Sequence, residues 1–228
     1  MSTTQDAGPG PWRDDDPALE LPLALTAEQN AVVTARWHRA RAAMPALDAV
    51  VEGVVARLAE PCGARQEGRK FRLKGLAAFR RQAAARVRLR VDAGTFAEKI
   101  TDLNRYTVVL ATDHYTAGVQ QAYALLHEQG FEPVPGSERN SWQDLVHKAF
   151  RVAWRDRSGG GTVFEVVFHT PESFAVQSEN GPLYDLYRSA RIRRPAGGVA
   201  VGKSHEDAAR LLQSRRYGSG HDAEENQG

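Results

Sequence analysis

Apolar positions along the chain switch between two rhythms. Leu47, Val50, Val51, Val54, Val55 and Leu58 recur at steps of three and four, the period that lines one face of an α-helix. Upstream, Thr26 reads as an N-cap with Glu28 in the first turn, which predicts a helix over 27–44. Pro45 then marks the first turn of a second helix, where a missing N–H costs little. The stretch Lys70-Phe-Arg-Leu-Lys74 alternates instead, as a strand does, with Phe71 and Leu73 on one face and Arg72 and Lys74 on the other. A basic helix is expected over 76–89, a strand over 105–111, and an amphipathic helix over 114–129 ended by Gly130. Segments 146–155 and 162–169 flank Ser158-Gly-Gly-Gly161 and predict an antiparallel hairpin. A helix from Pro171 to about residue 193 ends the ordered pattern.

These elements fall within 26–194, which reads as one domain. Residues 1–25, rich in Pro, Gly and Asp, read as a disordered arm, and 195–228 as a linker, a short helix and a polar tail. With 42% hydrophobic and 25% charged residues, the 228-residue chain can build a substantial core. Its single cysteine, Cys62, excludes an intramolecular disulfide and a Cys-based zinc cluster. The polar, acidic start has no apolar signal region, and no apolar run reaches the roughly 18–20 residues of a membrane span. The expected location is the cytoplasm, away from membranes. The net charge is only +2, but many of the thirty Lys and Arg crowd between Arg65 and Arg90, which suits phosphate-bearing ligands.

Gly197-Gly-Val-Ala-Val-Gly-Lys-Ser204 matches the letter of a P-loop but not its context. The preceding Arg191-Ile-Arg-Arg-Pro195 cannot form a buried strand, and too little chain follows to complete a parallel sheet. Ser204 reads better as a helix cap. His127, His147 and His169 show no metal-ligand spacing. A better candidate is a constellation: Arg72 and Lys74 on one strand face, Arg80, Arg81, Arg86 and Arg88 on the basic helix, Asp102 just before a strand, and Glu165 within another. Two carboxylates beside clustered cations are what metal-assisted phosphoryl chemistry needs, the former holding magnesium and the latter neutralising triphosphate oxygens.

Arg72-Leu-Lys74, the basic helix, Lys99-Ile-Thr-Asp-Leu-Asn-Arg-Tyr-Thr-Val-Val109 and Phe164-Glu-Val-Val-Phe-His-Thr-Pro-Glu-Ser173 follow one another in an order that resembles the RelA/SpoT synthetase domain. The resemblance spans about residues 45 to 193 and is nearest to small, divergent, stand-alone members. It implies an α+β nucleotidyltransferase fold with a mixed, roughly five-stranded sheet flanked by helices. It also implies magnesium-dependent transfer of pyrophosphate from ATP to the 3′-hydroxyl of a purine nucleotide, as in alarmone synthesis. Asp102 and Glu165 would be catalytic and hold the metal, while Arg72, Lys74, Arg80 and Arg81 would hold ATP. Asn140, Trp142, His147, Lys148, Arg105 and His169 would serve the acceptor, GDP, GTP or an adenine nucleotide, with tRNA as a further candidate. Departures from the family pattern are His147 for a Tyr, Ala78 for a Ser, Val167 for a Gln and Arg105 for a small residue. They leave open a domain that binds nucleotides without catalysis, or a toxin-like member acting on RNA 3′ ends.

Overall fold

The structure, a computed structural model, describes residues 9–14, 22–143, 148–159 and 161–178. The P-loop-like segment and His147 lie outside them, as do the C-terminal linker and tail.

The first long element is one helix, α1 (Ala27–Cys62), where two were expected. Thr26 caps it through a box closed with Gln29: the Gln29 N–H donates to Thr26 Oγ1 at 3.2 Å and the Thr26 N–H to Gln29 Oε1 at 3.0 Å. The helix continues through Pro45 and ends at Gly63, which takes the left-handed conformation with φ 57°. An interior proline costs about 3 kcal/mol. Burial offsets it, because Val33, Arg36, Ala40, Leu47, Val51, Val54, Leu58 and Cys62 form one stripe that keeps its phase across Pro45. Each Val or Leu so buried contributes about 1.5–3 kcal/mol.

Within the stretch read as a disordered arm, β1 (Trp12–Asp14) and β2 (Leu23–Leu25) pair antiparallel. The two leucines of β2 are 2% exposed or less, and their burial is what orders the ribbon. The main sheet comprises β3 (Arg65–Glu67), β4 (Arg105–Val109), β5 (Phe131–Pro133), β6 (Arg139–Asn140), β7 (Phe150–Asp156) and β8 (Val163–His169), in the order β3-β4-β8-β7-β5 with β6 also on β7. Strands β4 and β8 run parallel and the other pairs antiparallel, so the expected mixed α+β sheet is observed. The expected hairpin is β7–β8, with Arg155 opposite Val163.

Two cores share α1. The second half of α1 and the helix α4 (Tyr115–Glu128; α2 and α3 precede it) cover one sheet face, burying Tyr106 and Val108 of β4, Trp154 of β7, and Phe164 and Phe168 of β8. The first half packs with β2, α2 (Leu76–Arg88) and α3 (Ala93–Lys99) around Val33, Phe79, Ala83 and Leu103. Helix α3 has no counterpart in the sequence reading. It is short and capped by Asp92, whose Oδ1 accepts from the Thr95 N–H at 2.7 Å.

The strand expected over 70–74 is largely absent. Gly68, at φ 62°, turns the chain into a 3-10 turn over Arg69–Phe71, leaving Phe71 67% exposed. Extended pairing survives only where Leu73 bridges Asn104. Phe71 and Leu73 therefore do not share a buried face, because the turn's own hydrogen bonds, from Phe71 N–H to Gly68 O and from Arg72 N–H to Arg69 O, replace the ladder.

Candidate active site

Alternation along the strands decides what lies on the sheet's second face. Phe164, Val166 and Phe168 of β8 enter the core, so Glu165, Val167 and His169 lie opposite. Glu165 faces Arg105 directly across the parallel β4–β8 pair and Ala153 across β7. Arg151 is opposite Val167, one step away on the same face. Glu165 is 9% exposed, and its Oε1 has no hydrogen-bond partner among the described residues. Burial raises its carboxyl above the ordinary range and the charge of Asp102 adds to that, while Arg105, Arg151 and Lys74 pull the other way. Asp102 and Glu165, 63 residues apart in sequence, are thus within electrostatic reach of each other.

The Arg72–Lys74 segment lies against the entry to β4. Lys74 N–H donates to Leu103 O and Arg105 N–H to Arg72 O, each at 2.8 Å, and the Trp37 indole N–H of α1 donates to Lys74 O at 2.7 Å. So fixed, Lys74 Nζ reaches both oxygens of Asp102 at 2.7 Å and Gln82 Oε1 at 2.8 Å. Arg72 turns to α1, where its Nε donates to Asp48 Oδ1 at 2.9 Å and Oδ2 at 3.1 Å, and its Nη1 to Arg69 O at 2.7 Å. The buried Tyr106 hydroxyl donates to the same Asp48 at 2.9 Å, so Asp48 couples the core to Arg72. Burial, with that hydrogen bond, drives the Tyr106 phenol well above its usual pKa.

Other sequence candidates lie apart from this cluster. Arg80 Nη2 donates to Thr34 at 3.0 Å and Arg81 pairs with Asp14 of β1, both on faces of α2 other than that of Gln82. Asn140 and Trp142 line a hollow of about 470 Å³ with Tyr115, Phe150 and Thr170. Trp142 Nε1 donates to the Tyr115 hydroxyl at 3.2 Å, and the Tyr115 hydroxyl donates to Phe168 O at 3.0 Å. Thr170 follows the end of β8, about 16 Å along an extended chain from Glu165. His169 is fully buried there, its Nδ1 3.0 Å from Ser173 Oγ, and Lys148 is half-buried in the β6–β7 connection. Of the acceptor candidates among the described residues, only Arg105 adjoins Glu165.

Sequence reading missed Asp48 and Gln82. They carried no signal, because their partners come from distant segments.

Among the described residues no group of three or more His, Cys, Asp and Glu could hold a metal. The site offers two carboxylates at most, which suits magnesium, an ion commonly held by one or two carboxylates and completed by substrate phosphates and water. The buried Glu165 oxygen without a partner fits that use.

No family profile matches this sequence, and no curated protein does. Solved structures do match its fold. Against smu.1046c from Streptococcus mutans UA159 the TM-score is 0.52 at 11% identity, covering 84% of this chain and 92% of that one. Against the small alarmone synthetase 1 from Bacillus subtilis bound to its product pppGpp it is 0.50 at 14% identity, covering 84% and 98%. At such identities what is shared is the fold, and it is the α+β architecture with a mixed sheet that was expected.

Proposed function

We propose that this chain is a magnesium-dependent pyrophosphokinase that transfers the β,γ-pyrophosphoryl group of ATP to the 3′-hydroxyl of a purine nucleotide. The observation that carries the reading is Asp102, held by Lys74, within electrostatic reach of the buried Glu165, on a fold shared with a synthetase solved with its nucleotide product. Asp102 and Glu165 would hold the metal, which when bound supplies positive charge to polarise the phosphoryl oxygens. Lys74 moves its ammonium donors from Asp102 to the triphosphate, and Arg72, oriented by Asp48, grips phosphate oxygens.

Glu165 takes the proton of the acceptor 3′-hydroxyl. The resulting oxygen attacks the β-phosphorus, the bond from that phosphorus to the α–β bridging oxygen breaks, and AMP leaves with the electron pair. Desolvation makes Glu165 a stronger base than a carboxylate in water. The rest of the acceleration comes from holding the reactants in line and meeting developing charge with fixed cations.

Protein incubated with labelled ATP, magnesium and each nucleotide or tRNA in turn should release AMP and form a 3′-pyrophosphorylated product with at least one acceptor. Asp102→Asn should cut transfer by at least about 100-fold with an unchanged melting curve, the scale of losing a key electrostatic group. Turnover like that of the unmodified protein would remove Asp102 from the mechanism.

One observation favours a second reading, a domain that binds nucleotides without transfer: the Lys74 ammonium covers both Asp102 oxygens where a metal would sit. ATP binding by calorimetry with no AMP release from any acceptor would select it.

A further inference from the structure

Among the described residues, seven arginines are each paired with an acid: Arg39 with Glu98, Arg57 with Glu128, Arg65 with Glu67, Arg69 with Glu52, Arg72 with Asp48, Arg81 with Asp14 and Arg155 with Glu132. Arg105 and Arg151 are not in this set; nor is Arg36, buried in α1, but these two share one sheet face on either side of a carboxylate. Both are half-buried, and among the described residues neither guanidinium makes a hydrogen bond or has a carboxylate within 4.0 Å. A guanidinium stays charged at any ordinary pH, so partial burial without a counter-charge is costly. The sequence bears that cost twice on one sheet face, and Arg105 does so at a position where the resembling family carries a small residue.

Their placement says what kind of group would supply the counter-charge. Across the sheet the order is the Arg72–Lys74 segment, then Arg105 on β4, Glu165 on β8 and Arg151 on β7. Neighbouring strands lie about 4.8 Å apart and Arg151 is two residues out of step with Arg105, so the two arginine backbones stand about 12 Å apart on a diagonal that passes beside Glu165. Both guanidiniums act on the Glu165 charge without touching it. Lys74 and Asp102 mark the donor end of this row, Arg105 stands between them and the base, and Arg151 lies beyond the base. Each guanidinium has five N–H donors in a planar fork, the geometry that takes phosphate oxygens in pairs.

We propose that Arg105 and Arg151 form a phosphate clamp for the acceptor, which makes the acceptor a nucleotide carrying 5′-phosphates rather than a nucleoside or an RNA 3′ end. The placement of the acceptor rests on the reading of Glu165 as the base at its 3′-hydroxyl. The cationic pair itself does not.

Two measurements test this. With ATP as donor, kcat/KM is determined for guanosine, GDP, adenosine, ADP and tRNA, using the unmodified protein, Arg105→Gln, Arg151→Gln and Arg151→Lys. Separately, inorganic pyrophosphate is titrated calorimetrically into all four proteins. The unmodified protein should prefer a diphosphate to its nucleoside. Arg151→Gln should raise acceptor KM by about tenfold or more, the loss of one charged hydrogen bond, leave the KM for ATP in place and erase that preference. Arg151→Lys, which keeps the charge and loses the fork, should fall between. Pyrophosphate affinity should decline in the same order in proteins with equal melting temperatures. An unchanged diphosphate preference in both Gln variants, or tRNA used as well as GDP, would overturn the clamp. If no acceptor is used by any protein, the catalytic reading falls and the titration decides alone: weaker pyrophosphate binding in the Gln variants upholds the clamp, and equal binding rejects it.

Discussion

Beneath α1 and α4, strands β4, β7 and β8 contribute Tyr106, Val108, Val152, Trp154, Phe164, Val166 and Phe168, each 2% exposed or less; from their other face the same three strands present Arg105, Arg151 and Glu165. Period-two alternation produces both faces from one run of sequence. The apolar face is closed, with edge-on rings such as Tyr106 on Phe164 at 6.0 Å and Phe131 on Phe164 at 5.1 Å. On the charged face none of those three side chains makes a hydrogen bond or close ion pair among the described residues. One face therefore stabilises the fold, while the other holds charges at a cost that the fold bears. Local rules fail where a ligand is to complete the site.

The largest expected effect comes from breaking the closed face. Trp154 is fully buried against Tyr123, with ring centroids 4.7 Å apart. Trp154→Ala should cost about 3–5 kcal/mol in chemical denaturation, the range for deleting a buried aromatic. A loss below about 1 kcal/mol would mean the face tolerates a cavity and is not closed in this sense.

Next comes Arg72, the cation tied to the closed face through Asp48 and Tyr106. Arg72→Ala should weaken ATP binding by about 2 kcal/mol, as for a lost charged hydrogen bond. Calorimetry showing unchanged ATP affinity would leave Arg72 as a structural partner of α1 alone.

Glu165→Gln should move stability the other way. The folded chain holds the Glu165 proton more tightly than the unfolded chain does, because burial raises the carboxyl above its ordinary 4.5. Stability from this group is full below that value and is lost as pH rises through the raised folded pKa. The Gln variant should therefore melt above the unmodified protein at neutral pH, and the gap should close as pH falls towards 4.5. Transfer should be lost in the same variant. A variant that melts lower at neutral pH would contradict the claim that this charge is a burden.

The two faces were unequally legible in the sequence. Alternation in 105–109 and 163–169 gave the core face and put Glu165 opposite it, because period two is local information. The family motifs brought Asp102 into the same site, which spacing alone could not do. Pro45 misled, since a proline reads as a boundary unless the phase of Val33, Ala40, Leu47 and Val51 is followed across it. The Arg69–Phe71 turn was hidden because Phe71 and Leu73 alternate as a strand would, and only Gly68 at positive φ breaks the extended path. Asp48 and Gln82 entered from α1 and α2 through contacts that no local pattern encodes.

The smallest expected effect separates Arg151 from its neighbour Arg155. Both lie on β7 with side chains on the same face, four residues apart. Arg155 is half-exposed and meets Glu132, its register partner on β5, with Nε to Oε1 at 2.7 Å. Exposed pairs of this kind are worth about 0.2–1 kcal/mol, because water screens them and two long side chains must be ordered. Arg155→Gln should therefore shift denaturant stability by less than about 1 kcal/mol and leave pyrophosphate and acceptor binding where they were. If instead Arg155→Gln weakened the acceptor as much as Arg151→Gln, the general positive charge of β7 would be acting. The distinction between a cation matched by an acid and one left open to a ligand would then fail.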